Sequence, residues 1–172
     1  MQITGYRMTA VNEPLELCQY EATPGPGEAL VEVAGCGVCH TDLGFLFEGT
    51  PTRHPLPLVL GHEVSGRVVE TGAGVSDLVG QAVVVPAVLP CGRCDVCQRG
   101  RGQICKEQVF PGCDVDGGFA SHLVVPAEGL CTLSDDALDG MALAQLSVAA
   151  DAVSTAYQAV LRSGLEAGQL AV

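Results

Sequence analysis

Short apolar runs separated by glycine and proline dominate about the first 130 residues of the chain. Valine-rich runs of this kind cover residues 30–33, 64–70, 81–86 and 123–126. Runs of this length, bounded by turn-forming residues, are typical of β-strands. Because no sustained helical period interrupts them, we predict a mainly β domain built as a small, partly open barrel.

The pattern changes in the last quarter of the chain. Residues 141–160 are rich in alanine and carry apolar side chains at helical spacing, such as Leu143 and Leu146. Alanine is the best helix former, so we predict one or two helices here. Gly164 marks a helix end, and residues 169–172 look like the start of a further strand.

The charge of the 172-residue chain is strongly negative, because 8 Lys and Arg face 20 Asp and Glu, a net charge of −12. Nucleic acid and anionic membrane surfaces attract basic proteins, so we predict that neither is a partner. No stretch has the length of a transmembrane helix, and residues 1–9 lack a signal-peptide pattern. We therefore expect a cytoplasmic protein whose nine cysteines stay reduced, in which clustered cysteines indicate metal.

Four cysteines lie close together in one glycine-rich loop. They are Cys91, Cys94, Cys97 and Cys105. Two-residue gaps let successive thiolates turn toward one ion, and zinc favours tetrahedral sulfur coordination. Four thiolates leave no open position for a substrate, so we predict a structural zinc site. Disulfides and an iron–sulfur cluster are the alternatives.

A second set of possible zinc ligands flanks two predicted strands. Cys39 follows the first strand, and His62 directly precedes the next one. A thiolate and an imidazole are good zinc ligands, and Asp42 and Glu63 could support or replace them. Spacing alone leaves another interpretation open, in which His62 is a hydrogen-bonded core histidine and Cys39 a small buried hydrophobe.

The chain resembles the medium-chain zinc-dependent alcohol dehydrogenases in three motifs that follow one another in the same order. They are the residues at 39–42, the Gly-His-Glu motif at 61–63 and the four-cysteine loop. The resemblance covers essentially the whole chain. It implies a GroES-like β-barrel over residues 1–150 with a structural zinc lobe at 90–106, called the cysteine lobe below. It also implies that residues 151–172 are the lead-in helix and first strand of a Rossmann nucleotide-binding domain.

The resemblance also implies the ligands of a catalytic zinc. Cys39 and His62 would be the first two ligands, and Glu63 a carboxylate that can approach the metal or exchange onto it. Many members supply a cysteine as the third ligand, but residues 149–157 contain none. Asp151 matches members that use aspartate, and its alternative interpretation is a helix cap.

Further roles implied by the resemblance concern the proton and the cofactor. Thr41 would hydrogen-bond the alcohol oxygen and pass its proton on. His40 would contact the pyrophosphate of a nicotinamide cofactor, and Thr155 would lie beside its ring. Gly44 stands where some members have a histidine that ends the proton relay, so solvent or another group would complete it.

The implied function is oxidation of a secondary alcohol to a ketone, with two zinc ions per chain and NAD or NADP as hydride acceptor. The family is usually dimeric or tetrameric, so we expect a homo-oligomer. Residues 85–91, 117–122 and 148–160 are similar to the 6-hydroxycyclohex-1-ene-1-carbonyl-CoA dehydrogenases of anaerobic aromatic degradation. That similarity implies a cyclic hydroxy acyl-CoA substrate and NAD.

Other functions remain open at this stage. The chain could be a non-catalytic zinc-binding module, a relative of the quinone and enoyl reductases, or a zinc-dependent hydro-lyase on the same scaffold. Its sequence contains no dinucleotide fingerprint, because Gly72 and Gly74 are followed by Asp77 and by no helical pattern. We therefore expect these residues alone to bind zinc but not to transfer hydride.

Overall fold

The computed structural model describes residues 1–138 and 140–170 of the chain. Its strands are β1 (Gln2–Met8), β2 (Glu16–Glu21), β3 (Glu28–Gly37), β4 (Leu58–Val59), β5 (Glu63–Thr71), β6 (Ala82–Val85), β7 (His122–Pro126) and β8 (Cys131–Leu133). Its α-helices are α1 (His40–Glu48), α2 (Asp95–Gln98), α3 (Asp135–Leu138) and α4 (Ala152–Ser163). Two 3₁₀ segments cover Gly102–Ile104 and Leu143–Ala150.

Two antiparallel sheets form the scaffold. The larger has the order β7-β3-β5-β6-β8, and the smaller has the order β2-β1-β4. A bridge between Gly5 and Ala120 joins them, together with a hydrogen bond of 2.9 Å from Tyr6 N to Phe119 O. The sheets do not close into a complete ring, which confirms the predicted partly open β-barrel.

The core is aliphatic, as the scarcity of aromatic residues requires. The main cluster lies inside the five-stranded sheet and consists of Ala29, Val31, Val64, Val68, Val83, Val85, Leu89, Leu123 and Val125. A second cluster beneath α1 consists of Met8, Phe45, Leu58, Leu60 and Cys113. Each fully buried valine or leucine contributes about 1.5–3 kcal/mol, so these two clusters hold the barrel together.

Most elements predicted from the sequence are confirmed. The four valine-rich runs lie in β3, β5, β6 and β7, and residues 141–160 lie mostly in the longer 3₁₀ segment and in α4. That helix ends at Gly164 in the left-handed conformation, with φ 70°. Of the strand expected at 169–172, Gln169 and Leu170 lie in no strand, and residues 171 and 172 lie outside the described part of the chain.

The helix α1 lies among the early strands although the sequence shows no sustained helical period there. This helix buries only Asp42, Gly44 and Phe45, so its apolar stripe is too short to give a helical period. Its start is fixed by Asp42, whose Oδ2 accepts a hydrogen bond of 2.9 Å from the N–H of Cys39. Its end is fixed by Gly49, with φ 71°.

No helix among the described residues is long and apolar enough to cross a membrane.

Candidate metal centres

The thiols of the cysteine lobe face one another at close range. The Sγ–Sγ distances are 3.4 Å for Cys94–Cys97, 3.5 Å for Cys91–Cys105, 3.8 Å for Cys94–Cys105 and 3.9 Å for Cys91–Cys97. Four sulfurs at zinc's bond length of about 2.3 Å in a tetrahedron would be about 3.8 Å apart. A disulfide would need about 2.05 Å. The geometry therefore fits one ion, whereas the four thiolates of an iron–sulfur cluster are spread over two or more irons and do not all lie this close together.

Local turns position the thiols of the cysteine lobe. Cys94 is the N-cap of α2, and its Sγ accepts a bond of 3.5 Å from the N–H of Cys97. Gly92 and Gly100 have φ values of 69° and 71°, which a residue with a Cβ rarely adopts. The turns that direct the four thiols toward one another therefore lie within the lobe itself.

The second candidate site, called the mixed-ligand site, is assembled from three distant segments. Cys39 directly precedes α1, His62 and Glu63 lie at the start of β5, and Asp151 directly precedes α4. One ligand atom from each of these four residues lies within 4.8 Å of the other three. The structure thus brings together the residues chosen from the sequence, and their binding of a metal stays a prediction.

His62 is the most constrained residue of the mixed-ligand site. Its side chain is 1% exposed, and the ring of Phe110 lies edge-on at 5.0 Å. Neither ring nitrogen makes a well-directed hydrogen bond within the described residues, although Oδ1 of Asp42 lies 3.4 Å from Nδ1. Buried polar atoms without partners are rare, so Nε2 is well suited to a metal.

The charges around His62 shift its protonation. Burial lowers the pKa of the His62 ring, but the nearby carboxylate of Asp42, 3.4 Å from Nδ1, and then the thiol of Cys39 raise it more, to about 9. An imidazole must be neutral to bind zinc, so a zinc ion would compete with a proton for Nε2 of His62.

Asp42 connects the segments that carry the first two ligands. Its Oδ2 accepts from the N–H of Cys39 at 2.9 Å, and its Oδ1 accepts from the N–H of Gly61 at 3.1 Å. The carboxylate is almost fully buried and faces Nδ1 of His62. This arrangement holds the imidazole with Nε2 directed toward the other ligands.

Asp151 is directed into the site instead of capping its helix. It occupies the N-cap position of α4, but its carboxylate makes no capping bond to the helix backbone. Oδ1 accepts a hydrogen bond from the Thr155 hydroxyl, and Oδ2 lies 3.5 Å from Nε2 of His62. The first N–H of the helix, that of Ala152, is instead bound by Oε1 of Glu63 at 3.0 Å.

The remaining predicted residues differ in their relation to this site. The Thr41 hydroxyl lies 3.7 Å from Sγ of Cys39, so it faces the ligands. The His40 side chain is 86% exposed, and its Nε2 lies 3.9 Å from Oε1 of Glu48. It is not one of the four residues that meet in the mixed-ligand site. Thr155 is exposed and touches the site only through Asp151.

An apolar cavity of about 530 Å³ lies beside the strand that leads to Cys39. Tyr6, Leu15, Val38 and Phe119 contribute to its wall, and none of the residues that line it is charged. A cavity of this size is in the range that binds small molecules.

Comparison with known proteins agrees with this architecture. The profile for the alcohol dehydrogenase GroES-like domain matches residues 25–135. The chain belongs to this family. It is 38% identical to an alcohol dehydrogenase of Geobacillus stearothermophilus over 145 residues, which are 83% of this chain and 42% of that protein. It is 42% identical to the L-threonine 3-dehydrogenase of Pyrococcus furiosus over 110 residues, 62% of this chain and 32% of that protein.

A solved structure extends the likeness to nearly the whole chain. The cobalt- and zinc-bound thermostable alcohol dehydrogenase of Pyrobaculum aerophilum is similar with a TM-score of 0.86 and 29% identity. The match covers 98% of this chain and 51% of that one. The chain therefore spans about half, or less, of the length of these relatives.

One buried polar residue near the site was missed by the sequence reasoning. Ser65 is fully buried in β5, and its Oγ donates a hydrogen bond of 2.7 Å to the carbonyl oxygen of Leu143. The available signal was strand alternation, which places Ser65 on the same face as Glu63, two residues earlier.

Proposed function

We propose that this chain is the zinc-binding catalytic domain of a zinc-dependent alcohol dehydrogenase that oxidises a secondary alcohol to a ketone with NAD or NADP. The observation that carries the proposal is the convergence of three groups from distant segments. They are the thiol of Cys39, the buried and unpartnered imidazole of His62, and the carboxylate of Asp151. Membership of the GroES-like family and the named relatives support it.

The mixed-ligand site suits a catalytic ion. Cys39, His62 and Asp151 would hold zinc through sulfur, nitrogen and oxygen, with Glu63 close by. Three protein ligands leave the fourth tetrahedral position for substrate, whereas the cysteine lobe fills all four. Zinc held there would act as a Lewis acid that lowers the pKa of an alcohol hydroxyl.

The chain's own residues would handle the proton. The Thr41 hydroxyl can accept a hydrogen bond and donate one, so it can take the proton of an alcohol placed beside Cys39 and release its own. Thr41 is half-buried, which gives the relay access to solvent. Gly44 is buried in α1 and offers no side chain, so water would complete the relay.

Binding of the nicotinamide cofactor is proposed for His40 and Thr155 alone among the residues described. Both side chains are exposed and available for contact. Gly72 and Gly74 lie in a turn after β5, where Gly74 has φ 85°, and the turn leads into no helix.

We predict that this chain alone binds zinc without transferring hydride. The division of the chain into a domain at 1–150 and a lead-in segment at 151–172 also remains a prediction, as does the homo-oligomer.

The substrate is proposed to be a secondary alcohol with an apolar body. The uncharged lining of the apolar cavity near the end of β3, to which Cys36 and Val38 contribute, supports this class. The finer proposal, 6-hydroxycyclohex-1-ene-1-carbonyl-CoA, would require cationic side chains for the CoA phosphates. Arg53 is paired with Asp114, and Arg99 lies 3.4 Å from Asp95, but both arginines are more than half exposed, so these weak surface pairs leave them able to contact phosphates.

A cobalt-substituted chain tests the proposed function. Cobalt in the mixed-ligand site gives a visible spectrum that reports on its open position, so we expect 2-butanol to change that spectrum in a saturable way. Thr41→Val should weaken alcohol binding about tenfold by removing one hydrogen bond, while Thr41→Ser should retain it. A spectrum that 2-butanol does not change would contradict the proposal.

The same titration separates the alternatives. A non-catalytic zinc module or a quinone-reductase-like relative predicts one metal ion per chain, in the cysteine lobe, and no response to alcohol.

If the substrate is the CoA thioester, the chain should bind that thioester more tightly than cyclohexanol. The variant Arg53→Gln should then lose this difference in affinity. Equal binding of the two compounds would leave the plain alcohol as substrate.

A further inference from the structure

The segment that carries Asp151 is attached to the barrel at both ends by side chains of β5. At its start, Oγ of Ser65 donates to Leu143 O at 2.7 Å. At its end, Oε1 of Glu63 accepts from Ala152 N at 3.0 Å. Ser65 is 0% exposed and Glu63 is 2% exposed. The two bonds therefore lie on one buried face of the strand and enclose residues 143–152.

The neighbouring strand leaves room for this attachment. In the register of β3 with β5, Gly35 lies opposite Ser65 and Gly37 lies opposite Glu63. A Cβ at Gly35 would come within 2.7 Å of the backbone of Ala144, and a Cβ at Gly37 within 2.2 Å of Glu63 Oε2. Two glycines opposite two polar residues thus allow the segment to pack directly on the sheet.

The helix that follows Asp151 does not fix this residue by itself. No residue of α4 is buried, and the Asp151 carboxylate makes no capping bond to the helix backbone. Its side-chain contacts are the Thr155 hydroxyl, on the same helix, and His62. The position of Asp151 relative to His62 therefore depends on what holds residues 143–152 against β5.

We propose that Ser65 and Glu63 are positioning residues that hold Asp151 in place for the metal of the mixed-ligand site. The inference rests on the zinc binding proposed above and assigns Glu63 a role as hydrogen-bond acceptor at the start of α4. Residues that orient metal ligands typically change metal affinity by about 10-fold to 100-fold when they are replaced. Each tether fixes one end of the segment, so loss of either one should let Asp151 shift relative to His62.

Zinc affinity of the two sites tests this inference, with the cysteine lobe as internal reference. Competition with a chelator should show about 10-fold to 100-fold weaker zinc binding at the mixed-ligand site in Ser65→Ala and in Glu63→Ala. Glu63→Gln keeps an acceptor for Ala152 N and should stay close to wild type. If Glu63 acted only as a ligand, Glu63→Gln would lose as much affinity as Glu63→Ala, which would overturn the inference.

Ser163→Ala is the matched control. It removes a hydroxyl-to-carbonyl hydrogen bond of the same length, 2.7 Å to Val160 O, at the exposed far end of α4. We expect zinc binding of this variant to equal that of wild type. An unchanged circular dichroism spectrum would show that each variant folds. If Ser65→Ala fails to fold, the pair of Glu63 variants still decides the question.

A double-mutant cycle separates positioning of Asp151 from general loosening of the barrel. In an Asp151→Ala background, Ser65→Ala should cause no further loss of zinc affinity, because the ligand that it positions is gone. An equal loss in both backgrounds would overturn the inference. A wild-type chain that holds zinc only in the cysteine lobe would instead contradict the proposed function itself.

Discussion

The cysteine lobe and the mixed-ligand site bring four potential ligands together in opposite ways. All four thiols of the lobe lie between positions 91 and 105, and turns inside that stretch point them at one another. The ligands of the mixed-ligand site lie between positions 39 and 151, on three elements that meet only in the folded barrel. The lobe can form its site locally, whereas the mixed-ligand site depends on the whole fold.

The difference also separates the chemistry of the two sites. Four thiolates close the coordination sphere of the lobe, so an ion there can stabilise structure but cannot bind substrate. At the other site, sulfur, nitrogen and oxygen donors from Cys39, His62 and Asp151 would leave one tetrahedral position open to a substrate. A local motif therefore suits a structural ion, whereas the proposed catalytic ion would depend on side chains that only the folded barrel brings together.

Removal of one lobe thiol should have the largest effect. Structural zinc contributes about 10–16 kcal/mol of apparent binding free energy in zinc-finger peptides. Cys97→Ser should therefore lose the zinc of the lobe and make residues 90–106 sensitive to protease. Metal analysis and limited proteolysis measure both effects. The control is Cys131→Ser, which changes an exposed thiol outside both sites. Loss of both ions in Cys97→Ser would contradict the independence of the two sites.

The second-largest effect is expected from the buried imidazole. His62→Ala should lower zinc affinity at the mixed-ligand site by more than about 100-fold, because a ligand is lost and not only its support. The cysteine lobe should keep its zinc. His122→Ala, on the strand β7, is the control and should retain both ions. A His62→Ala chain that binds as much zinc as wild type would refute the ligand assignment.

A smaller effect on the same site is expected from the carboxylate behind the imidazole. Asp42→Asn keeps the shape of the side chain but removes the charge that faces His62, so zinc affinity should fall by about 10-fold to 100-fold. Asp116→Asn is the control, because Asp116 also accepts a backbone N–H, that of Val59 at 3.0 Å. Equal zinc affinity in the two variants would show that Asp42 has no special relation to the imidazole.

The two sites also differ in how far the sequence predicts them. The spacing of Cys91, Cys94 and Cys97 predicts the lobe because coordination there depends on local geometry. The spacing of Cys39 and His62 left a core histidine as an equal alternative, because no local pattern tells whether two segments meet. The sequence indicated Asp151 only through a family resemblance.

Parts of the fold escaped prediction for related reasons. The helix α1 has too few buried apolar residues for a periodic signal, and its cap is a contact between Asp42 and a backbone amide. The bonds of Ser65 to Leu143 O and of Glu63 to Ala152 N join residues 78 and 89 positions apart. Such contacts follow from tertiary packing and leave no local pattern.

The smallest effect concerns a tyrosine away from both sites. Burial raises the pKa of Tyr20 above its ordinary value of 10.0, and the charges of Asp116 and Cys18 add to the shift. The folded state therefore favours the neutral form of Tyr20 over the tyrosinate. The stability that this preference adds is complete below about pH 10 and is lost as the pH rises further. Urea unfolding from about pH 9 to about pH 11 should show a shallower decline in Tyr20→Phe. An identical decline would assign the alkaline transition to other groups.

Zinc stoichiometry tests the central claim most directly. Native mass spectrometry of the zinc-saturated chain should show two ions in wild type, one in His62→Ala and one in Cys97→Ser. The ion remaining in His62→Ala should be lost when Cys97→Ser is added to it. A wild-type chain that holds a single zinc ion, kept in His62→Ala, would contradict the account.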